Sequence, residues 1–242
     1  MCDNKRIILD LLPVTAPGIL TPQMEADMGC FLTEGTELRH RQIQQGPVTI
    51  ECEYDEAYSA PEVVSLAVEA CAGDEIDGIF VNCFGDPGVR ALREKVKIPV
   101  FGGFEPAIYL ALGLGDTVGI VTVLKNVVPM IRGAIQRAGL ASRVPCVRTL
   151  DMPVLELQDR SKLMENLYAQ CKLAIEVDGV SVLVMGCTGI IGVTEDMRRR
   201  LLADGYDVPV LEAARCAVTL TELYARMGLY QSRQTYMAPP EK

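Results

Sequence analysis

The two halves of this chain repeat one succession of sequence patterns, and this repetition constrains the fold more than any other feature. In the first half an apolar run ends at Cys83, a glycine turn and a charged helical stretch follow, and a short strand is centred on Pro99. In the second half, Cys187 and Pro209 occupy the same places in the same order. Repeats of this size are domains rather than solenoid units. The sequence therefore predicts two similar half-molecules that place one thiol on each side of a shared cleft.

Short apolar runs alternate with stretches that carry apolar residues at helical spacing. We predict strands at 7–11, 48–52, 78–82, 99–102, 117–123, 180–185 and 209–211. We predict helices at 61–72, 87–95, 105–114, 126–139, 161–177, 195–204 and 213–227. This alternation is typical of parallel sheets with helices on both faces, which require continuous apolar strands. We therefore expect an α/β fold of two pseudo-symmetric lobes, each a small parallel sheet flanked by helices, with the active site in the cleft between them.

The lobe boundaries follow from the same pattern, because no low-complexity linker separates the halves. We place the first lobe at 1–102 and the second at 103–212, and we expect the C-terminal segment 213–242 to return to the first lobe. Gly139 and Gly228 lie where two helices should end, since glycine readily adopts the left-handed conformation that closes a helix.

Charge and hydropathy exclude several classes of partner. The formal net charge of -9 disfavours a nucleic acid, because phosphate binding needs a basic surface. No apolar stretch reaches the length of about 18 residues that suggests a membrane span. Asp10 interrupts the apolar stretch that follows Lys5 and Arg6, so we expect no signal sequence. The protein is then expected in the cytoplasm with its thiols reduced.

Histidine and cysteine spacing excludes most metal sites. His40 is the only histidine, and none of the nine cysteines form a CxxC pair. A multi-histidine metal site and a catalytic group needing two histidines are therefore ruled out. We expect that the protein needs neither a metal ion nor an organic cofactor.

Two cysteines stand apart from the others by their position. Cys83 and Cys187 each fall at a predicted strand-to-helix turn, where ligands of α/β sheets gather and helix N-termini direct N–H groups. A thiol at such a turn is expected to have its pKa lowered toward neutrality. The remaining cysteines are expected to behave as small apolar residues: Cys2, Cys30, Cys52, Cys71, Cys146, Cys171 and Cys216.

The sequences around these two thiols carry a family resemblance. The chain has Asn82-Cys83-Phe84-Gly85-Asp86-Pro87-Gly88 and Gly186-Cys187-Thr188-Gly189. It resembles the aspartate/glutamate racemase superfamily over essentially its whole length, in the branch of the hydantoin and allantoin racemases. Amino-acid racemases of the superfamily tend to carry Cys-Asn-Thr in the first motif and Cys-Thr-His or Cys-Thr-Glu in the second. This chain has glycine at the last of those positions in the second motif, and glycine offers no side chain for an ammonium or a carboxylate.

The resemblance implies a substrate and a mechanism. The substrate would be a small cyclic amide such as a 5-substituted hydantoin or allantoin, whose carbonyls suit backbone N–H groups. One thiolate would remove the proton next to a carbonyl and the opposite thiol would protonate the other face, without a cofactor. The branch commonly has Asn-Pro-Asn-Thr after its first strand, whereas this chain has Leu-Pro-Val-Thr-Ala-Pro-Gly at 12–18.

Further roles are predicted for residues near the thiols. We expect N–H groups at Phe84, Gly85, Thr188 and Gly189 to stabilise the enolate, and Thr15 and Thr122 to bind the ring from the ends of equivalent strands. Asp86 is predicted to be one of the substrate-binding residues and to cap the helix that starts at Pro87. Glu105 and Glu212 are each expected to cap a helix, or else to orient a thiol.

Other interpretations stay open. The chain could be an Asp/Glu racemase, or a decarboxylase or cis–trans isomerase of dicarboxylates in the same superfamily. It could also be a non-catalytic small-ligand binder or a thiol sensor, which would need the two sulfurs within disulfide range. We further expect a homo-oligomer, because aliphatic and methionine-rich helix surfaces are plausible contacts.

Overall fold

Two parallel sheets form the framework of the protein, in a computed structural model that describes residues 5–240. The strands are β1 Arg6–Leu12, β2 Thr36–Gln42, β3 Gly78–Val81, β4 Val100–Phe101, β5 Val118–Thr122, β6 Cys146–Thr149, β7 Val182–Met185 and β8 Val210–Glu212. The first sheet has the order β2-β1-β3-β4 and the second has the equivalent order β6-β5-β7-β8. All pairings within residues 5–240 are parallel. The predicted two-lobed α/β fold is confirmed.

Helices cover both sheets. They are α1 Pro22–Gly29, α2 Glu53–Gly73, α3 Val89–Lys95, α4 Phe104–Leu112, α5 Val128–Arg137, α6 Arg160–Glu176, α7 Thr194–Ala203 and α8 Ala213–Arg226. Two short 3₁₀ helices, Lys125–Val127 and Val154–Gln158, precede α5 and α6. Strands β3, β5 and β7 are buried at every position, as expected for strands covered on both faces. None of the helices within residues 5–240 is long and apolar enough to cross a membrane.

Four segments differ from the sequence prediction. The edge strand β2 was not expected, because its sequence Thr-Glu-Leu-Arg-His-Arg-Gln is polar and only half-buried. The equivalent edge strand of the second sheet, β6, and helix α1, in which only Met28 is buried, were missed for the same reason. The strand predicted at 48–52 is wrong, since this segment is irregular and leads into α2 at Glu53, ahead of the predicted start. Weak hydrophobic periodicity thus hid the elements that lie at the margins of the sheets.

The C-terminal segment lies on the first sheet. Helix α8 packs against α4 and against β1, β3 and β4. Beyond it, the Gln231 side chain accepts a hydrogen bond from the Val100 N–H (3.1 Å) and donates one to the Val100 carbonyl (2.9 Å). The Gln231 amide thereby satisfies the backbone of the edge strand β4, which would otherwise be open to pairing with another chain. The lobe limits at 102 and 212 stay a prediction.

The largest apolar core joins the two halves at the cysteine turns. It extends from the second sheet to Ile50, Phe84 and Phe104. The rings of Phe84 and Phe104 meet edge to face with their centroids 5.7 Å apart, a geometry that contributes about 0.5–1.5 kcal/mol beyond simple burial. This core reaches Phe84, the residue next to Cys83. Packing between the two halves therefore affects the hydration of the thiols.

Candidate active site

Both predicted thiols lie at the carboxyl ends of central strands and line one cavity. Cys83 follows β3, Cys187 follows β7, and both are free thiols, whereas Cys2 lies outside the described residues. The cavity has a volume of about 40 Å³ and is lined by both turns and by apolar side chains: Ile50, Cys83, Phe84, Gly85, Thr122, Val123, Val127, Met130, Ile131, Gly186, Cys187 and Thr188. At about 10–15 Å³ of accessible space for each water molecule, a cavity of this size holds about three water molecules.

Direct contacts hold the two turns together. The Thr188 hydroxyl donates to the Asn82 carbonyl at 3.2 Å, which ties the second turn to the first. The Gly103 N–H donates to the Cys83 carbonyl at 2.9 Å. A Cβ atom on Gly103 would lie 2.9 Å from Thr188 Cγ2 and 3.1 Å from the Cys83 carbonyl oxygen. Gly103 therefore allows the two turns to approach, a role that sequence reasoning missed although a glycine pair follows β4.

The environment of Cys83 disfavours its thiolate. Burial raises the pKa of the Cys83 thiol well above its usual range, and the neighbouring Cys187, Glu56 and Asp86 raise it further. The Gly85 N–H donates to Cys83 Sγ at 3.4 Å and opposes this shift only in part. The predicted lowering of the pKa toward neutrality is wrong for this thiol, because the loss of hydration outweighs one N–H donor.

The pKa of the Cys187 thiol is also raised, but by less than that of the Cys83 thiol. Burial raises the pKa of the Cys187 thiol to about 11, while the N–H groups of Gly189 and Ile190 lower it and nearby Glu51 raises it. The predicted lowering is wrong here too, for the same reason. With two N–H donors, however, the second turn stabilises a thiolate better than the first.

Three predicted substrate-binding residues do not line the cavity. Thr15 lies beyond the end of β1 at Leu12, and its hydroxyl donates to the Pro47 carbonyl at 3.1 Å. Gly189 adjoins Cys187, and a Cβ added to it would lie 3.7 Å from Cys187 Sγ, but this glycine faces a separate cleft of about 620 Å³. Asp86 is also absent from the cavity lining, although it follows Gly85 in the first turn.

Asp86 caps a different helix from the one predicted. Helix α3 begins at Val89, after Gly88, whereas Asp86 Oδ1 accepts the N–H of Phe104, the first residue of α4, at 3.2 Å. Its own backbone is left-handed, with φ 62°. Burial raises the pKa of the Asp86 carboxyl to about 8, so this carboxyl is mainly protonated at pH 7.

The remaining predicted side chains have structural contacts. Thr122 ends β5, as predicted, and its hydroxyl donates to the Gly186 carbonyl at 2.8 Å, which positions the second turn. Glu212 Oε1 accepts the N–H groups of Val193 and Thr194 at 2.7 and 2.8 Å, so its predicted capping role, at α7, is confirmed. The prediction that Glu105 caps a helix is wrong.

Glu105 instead forms an ion pair with the buried guanidinium of Arg93. Arg93 also donates to the Val100 carbonyl, at 3.0 and 2.9 Å, and so connects α3, β4 and α4. The pair belongs to the packing of the first lobe.

One acidic side chain near the site was not predicted. Glu56 lies in the first turns of α2, and its Oε2 is 2.8 Å from the position that a Cβ on Gly85 would take. Burial raises the pKa of the Glu56 carboxyl to about 7. Sequence reasoning started this helix at 61 and thus left Glu56 in a loop, although the Glu-Tyr-Asp-Glu run at 53–56 is a typical acidic first turn.

Comparison with known proteins assigns this chain to a family. Residues 21–221 match the family model described as Asp/Glu/Hydantoin racemase. A hydantoin racemase from Pseudomonas sp. (strain NS671) is 32% identical over 203 residues, which cover 82% of this chain and 78% of the relative.

Two solved structures share the whole fold. An allantoin racemase from Klebsiella pneumoniae superposes with a TM-score of 0.89 at 29% identity and covers 98% of this chain and 95% of its own. The allantoin racemase from Pseudomonas fluorescens superposes with a TM-score of 0.88 at 31% identity, covering 98% of both chains. The chain belongs to the Asp/Glu/hydantoin racemase family and is an isomerase, a racemase.

Proposed function

We propose that this racemase acts on a small cyclic amide such as a 5-substituted hydantoin or allantoin, and that Cys83 and Cys187 are its two bases. The observation that carries the proposal is the lining of the shared cavity, in which none of the described side chains is charged. An amino acid or a dicarboxylate would lose its hydration there without an ionic partner, which is strongly unfavourable. A neutral ring avoids this cost. The names of the similar proteins, hydantoin racemase and allantoin racemase, agree with such a substrate.

The proton transfer uses the two thiols in turn. Cys187 or Cys83, as the thiolate, takes the proton from the carbon next to a ring carbonyl, and the opposite thiol protonates the other face of the enolate. A raised pKa makes each thiolate a stronger base, which suits abstraction from a weak carbon acid. The thiolate is present in only a small fraction of molecules at neutral pH, so the N–H groups of Gly189 and Ile190 matter for its population.

Backbone N–H groups of the two turns stabilise the enolate in this proposal. Within residues 5–240, the N–H groups of Phe84 and Thr188 donate to no backbone carbonyl, and both residues line the cavity. A preorganised donor of this kind lowers the barrier by about 3–4 kcal/mol. The N–H groups of Gly85 and Gly189 interact with the thiols, so we assign them to thiolate stabilisation.

A substrate panel tests the proposal. Both enantiomers of several 5-substituted hydantoins, allantoin, aspartate and glutamate are incubated with the purified protein and followed by polarimetry and by proton exchange in deuterated water. We expect racemisation of at least one cyclic amide and of neither amino acid. Racemisation of the amino acids alone would instead establish the Asp/Glu racemase alternative, and inactivity on every cyclic amide would refute the proposal.

We also propose that the reaction needs no metal ion or organic cofactor, because two thiols suffice for proton transfer. Exhaustive chelation followed by gel filtration is expected to leave the racemisation rate unchanged. Loss of activity that one specific metal restores would contradict this. A homo-oligomer stays a prediction, and light scattering that shows a clean monomer would exclude it.

A further inference from the structure

Glu56 lies directly behind the turn that carries Cys83. Its Oε2 is 2.8 Å from the position of a Cβ on Gly85, and the Gly85 N–H donates to Cys83 Sγ at 3.4 Å. One glycine therefore separates the carboxylate from the thiol. A Cβ at this position would displace the Glu56 carboxylate and the Met130 methyl group, which would lie 2.8 and 3.0 Å from it.

Glu56 also borders a second cavity, on the other side from the thiols. This cavity lies between α2 and α5, has a volume of about 220 Å³, and is lined in part by Glu53, Gly88 and Arg137. At about 30 Å³ each in the liquid, several water molecules fit into it. Burial raises the pKa of the Glu56 carboxyl to about 7, while the positive charge of Arg137 lowers it, so this group takes up and releases a proton near neutral pH.

The proposed reaction creates a need for such a group. A two-base racemase that converts one enantiomer leaves the abstracting thiol protonated and the other as a thiolate, so the thiols must be reset before the next turnover in the same direction. Cys83 is partly buried and packs against the apolar core that contains Phe84 and Ile50. A titratable group beside this core would speed the exchange of the Cys83 proton with water.

We propose that Glu56 is the positioning residue through which Cys83 exchanges its proton with solvent, an inference that rests on the proposed function. The S–H bond of Cys83 breaks and leaves a thiolate, and an O–H bond forms on the Glu56 carboxylate, with water relaying the proton past Gly85. The carboxylic acid then gives the proton to water in the cavity beside Arg137. The reverse sequence reprotonates Cys83, and no electron is transferred in either direction.

Glu56→Gln tests the inference, because glutamine keeps the size of the side chain but cannot carry the proton. One-way turnover is measured from each enantiomer of an active cyclic amide, while an excess of an enantiospecific hydrolase removes the product. From the enantiomer whose proton goes to Cys83, we expect kcat to fall by about 10- to 100-fold, within the range for loss of a proton-transfer group. The ionisation near pH 7 should also disappear from the kcat profile, whereas kcat/KM changes less.

Two further variants separate this role from a structural one. Glu69→Gln is the matched control, because Glu69 lies on the same helix but is exposed and does not line this cavity. It should leave kcat and its pH profile unchanged. Glu56→Asp, which still titrates, should restore part of kcat and the ionisation. A Glu56→Gln enzyme with the kcat and pH profile of the wild type would overturn the inference.

A second readout does not depend on the substrate. Alkylation by iodoacetamide is followed at Cys83 and Cys187 separately, by mass spectrometry of the peptides, between pH 7 and pH 10. The charge of Glu56 raises the pKa of Cys83, so Glu56→Gln should accelerate alkylation of Cys83 several-fold. Cys187, whose acidic neighbour is Glu51, is the internal control and should be unaffected. No acceleration at Cys83 anywhere in this range would overturn the coupling, whereas failure of the substrate panel alone would refute the proposed function.

Discussion

The two cysteine turns have the same backbone plan but different surroundings. Each follows a buried central strand, and each has a glycine two residues after the cysteine, Gly85 in the first turn and Gly189 in the second. Behind Gly85 lies the carboxylate of Glu56, whereas the nearest side chain behind Gly189 is Leu157, whose Cδ1 would be 3.4 Å from an added Cβ. The duplicated scaffold thus places an acid behind the glycine of one turn and an apolar side chain behind the glycine of the other.

This difference makes the two thiols chemically unequal. Cys187 has two N–H donors, and its pKa is raised by burial only to about 11. Cys83 has one donor and two acidic neighbours, Glu56 and Asp86, and the pKa of its thiol is raised further. Pseudo-symmetry of the backbone therefore does not imply equal bases. In the proposed mechanism Cys187 is the more readily formed thiolate, and Cys83 is the cysteine that more often carries the proton.

The largest expected effect comes from removing either thiol. Cys83→Ser and Cys187→Ser should each reduce the rate of racemisation by about 100- to 10,000-fold, since a hydroxyl is far less acidic than a thiol. Slow deuterium exchange should persist on one enantiomer only, a different one in each variant, because each thiol faces one side of the substrate carbon. Circular dichroism checks that the fold survives.

Two outcomes would contradict this prediction. Near wild-type racemisation by either serine variant would exclude the two-base assignment. Equal exchange of both enantiomers in one variant would exclude the geometry of one face per thiol.

Separating the two turns should have the next largest effect. Gly103→Ala places a methyl group 2.9 Å from Thr188 Cγ2, which pushes the second turn away from the first. A displacement of about 1 Å at a reaction centre reduces the rate by about 100-fold, and we expect a loss of this size in kcat/KM. Gly73→Ala is the control, since nothing lies within 4 Å of its added methyl group. Equal kinetics of the two variants would show that the spacing between the turns does not matter.

A smaller effect is expected from two threonines, Thr122 at the end of β5 and Thr15 beyond the end of β1. Thr122→Val removes the hydrogen bond to the buried Gly186 carbonyl and should lower the free energy of unfolding by about 1–3 kcal/mol. Because Gly186 precedes Cys187, kcat/KM should fall several-fold as well. Thr15→Val should change both quantities little, because Thr15 does not line the cavity and is partly exposed. Chemical denaturation and steady-state assays measure the pair, and a larger effect at Thr15 would reverse the assignment.

The smallest effect concerns how the free energy of unfolding depends on pH. It arises at Asp86, the third residue after Cys83, whereas the equivalent residue after Cys187 is Ile190, which does not titrate. Burial raises the pKa of Asp86 to about 8. A carboxyl whose folded-state pKa lies above the unfolded value stabilises the fold at low pH, and this contribution is lost as pH rises through about 8. Between pH 7 and pH 9 the wild type should thus lose about 1 kcal/mol of its free energy of unfolding that Asp86→Asn retains.

Urea unfolding at several pH values measures this difference. Asparagine keeps an oxygen that can accept the Phe104 N–H, so the cap of α4 survives in the variant. Asp116→Asn, at a fully exposed side chain, is the control and should follow the wild type. Identical pH dependence in Asp86→Asn and the wild type would refute the shift at Asp86.

Several features of the site could not be predicted from the sequence. A turn at a helix N-terminus favours a lowered thiol pKa, but burial of both thiols in the folded protein raises the pKa instead. Gly103 and Glu56 reach the first turn from distant parts of the chain, through contacts that no local pattern encodes. Edge strand β2 carries polar residues because it is only half-buried, so its periodicity is weak.

The sequence by itself determined the two parallel sheets and the positions of Cys83 and Cys187 at strand ends, because burial of central strands demands apolar runs and a turn must follow each. Tertiary structure alone decided how unequal the two thiols are. Charge and hydration at a thiol depend on which side chains pack around it, and those side chains come from helices far away in the chain. The tertiary structure also decided that the Gln231 side chain hydrogen-bonds to the backbone of edge strand β4. A hydrogen bond between a C-terminal side chain and a strand produces no periodic pattern in the sequence.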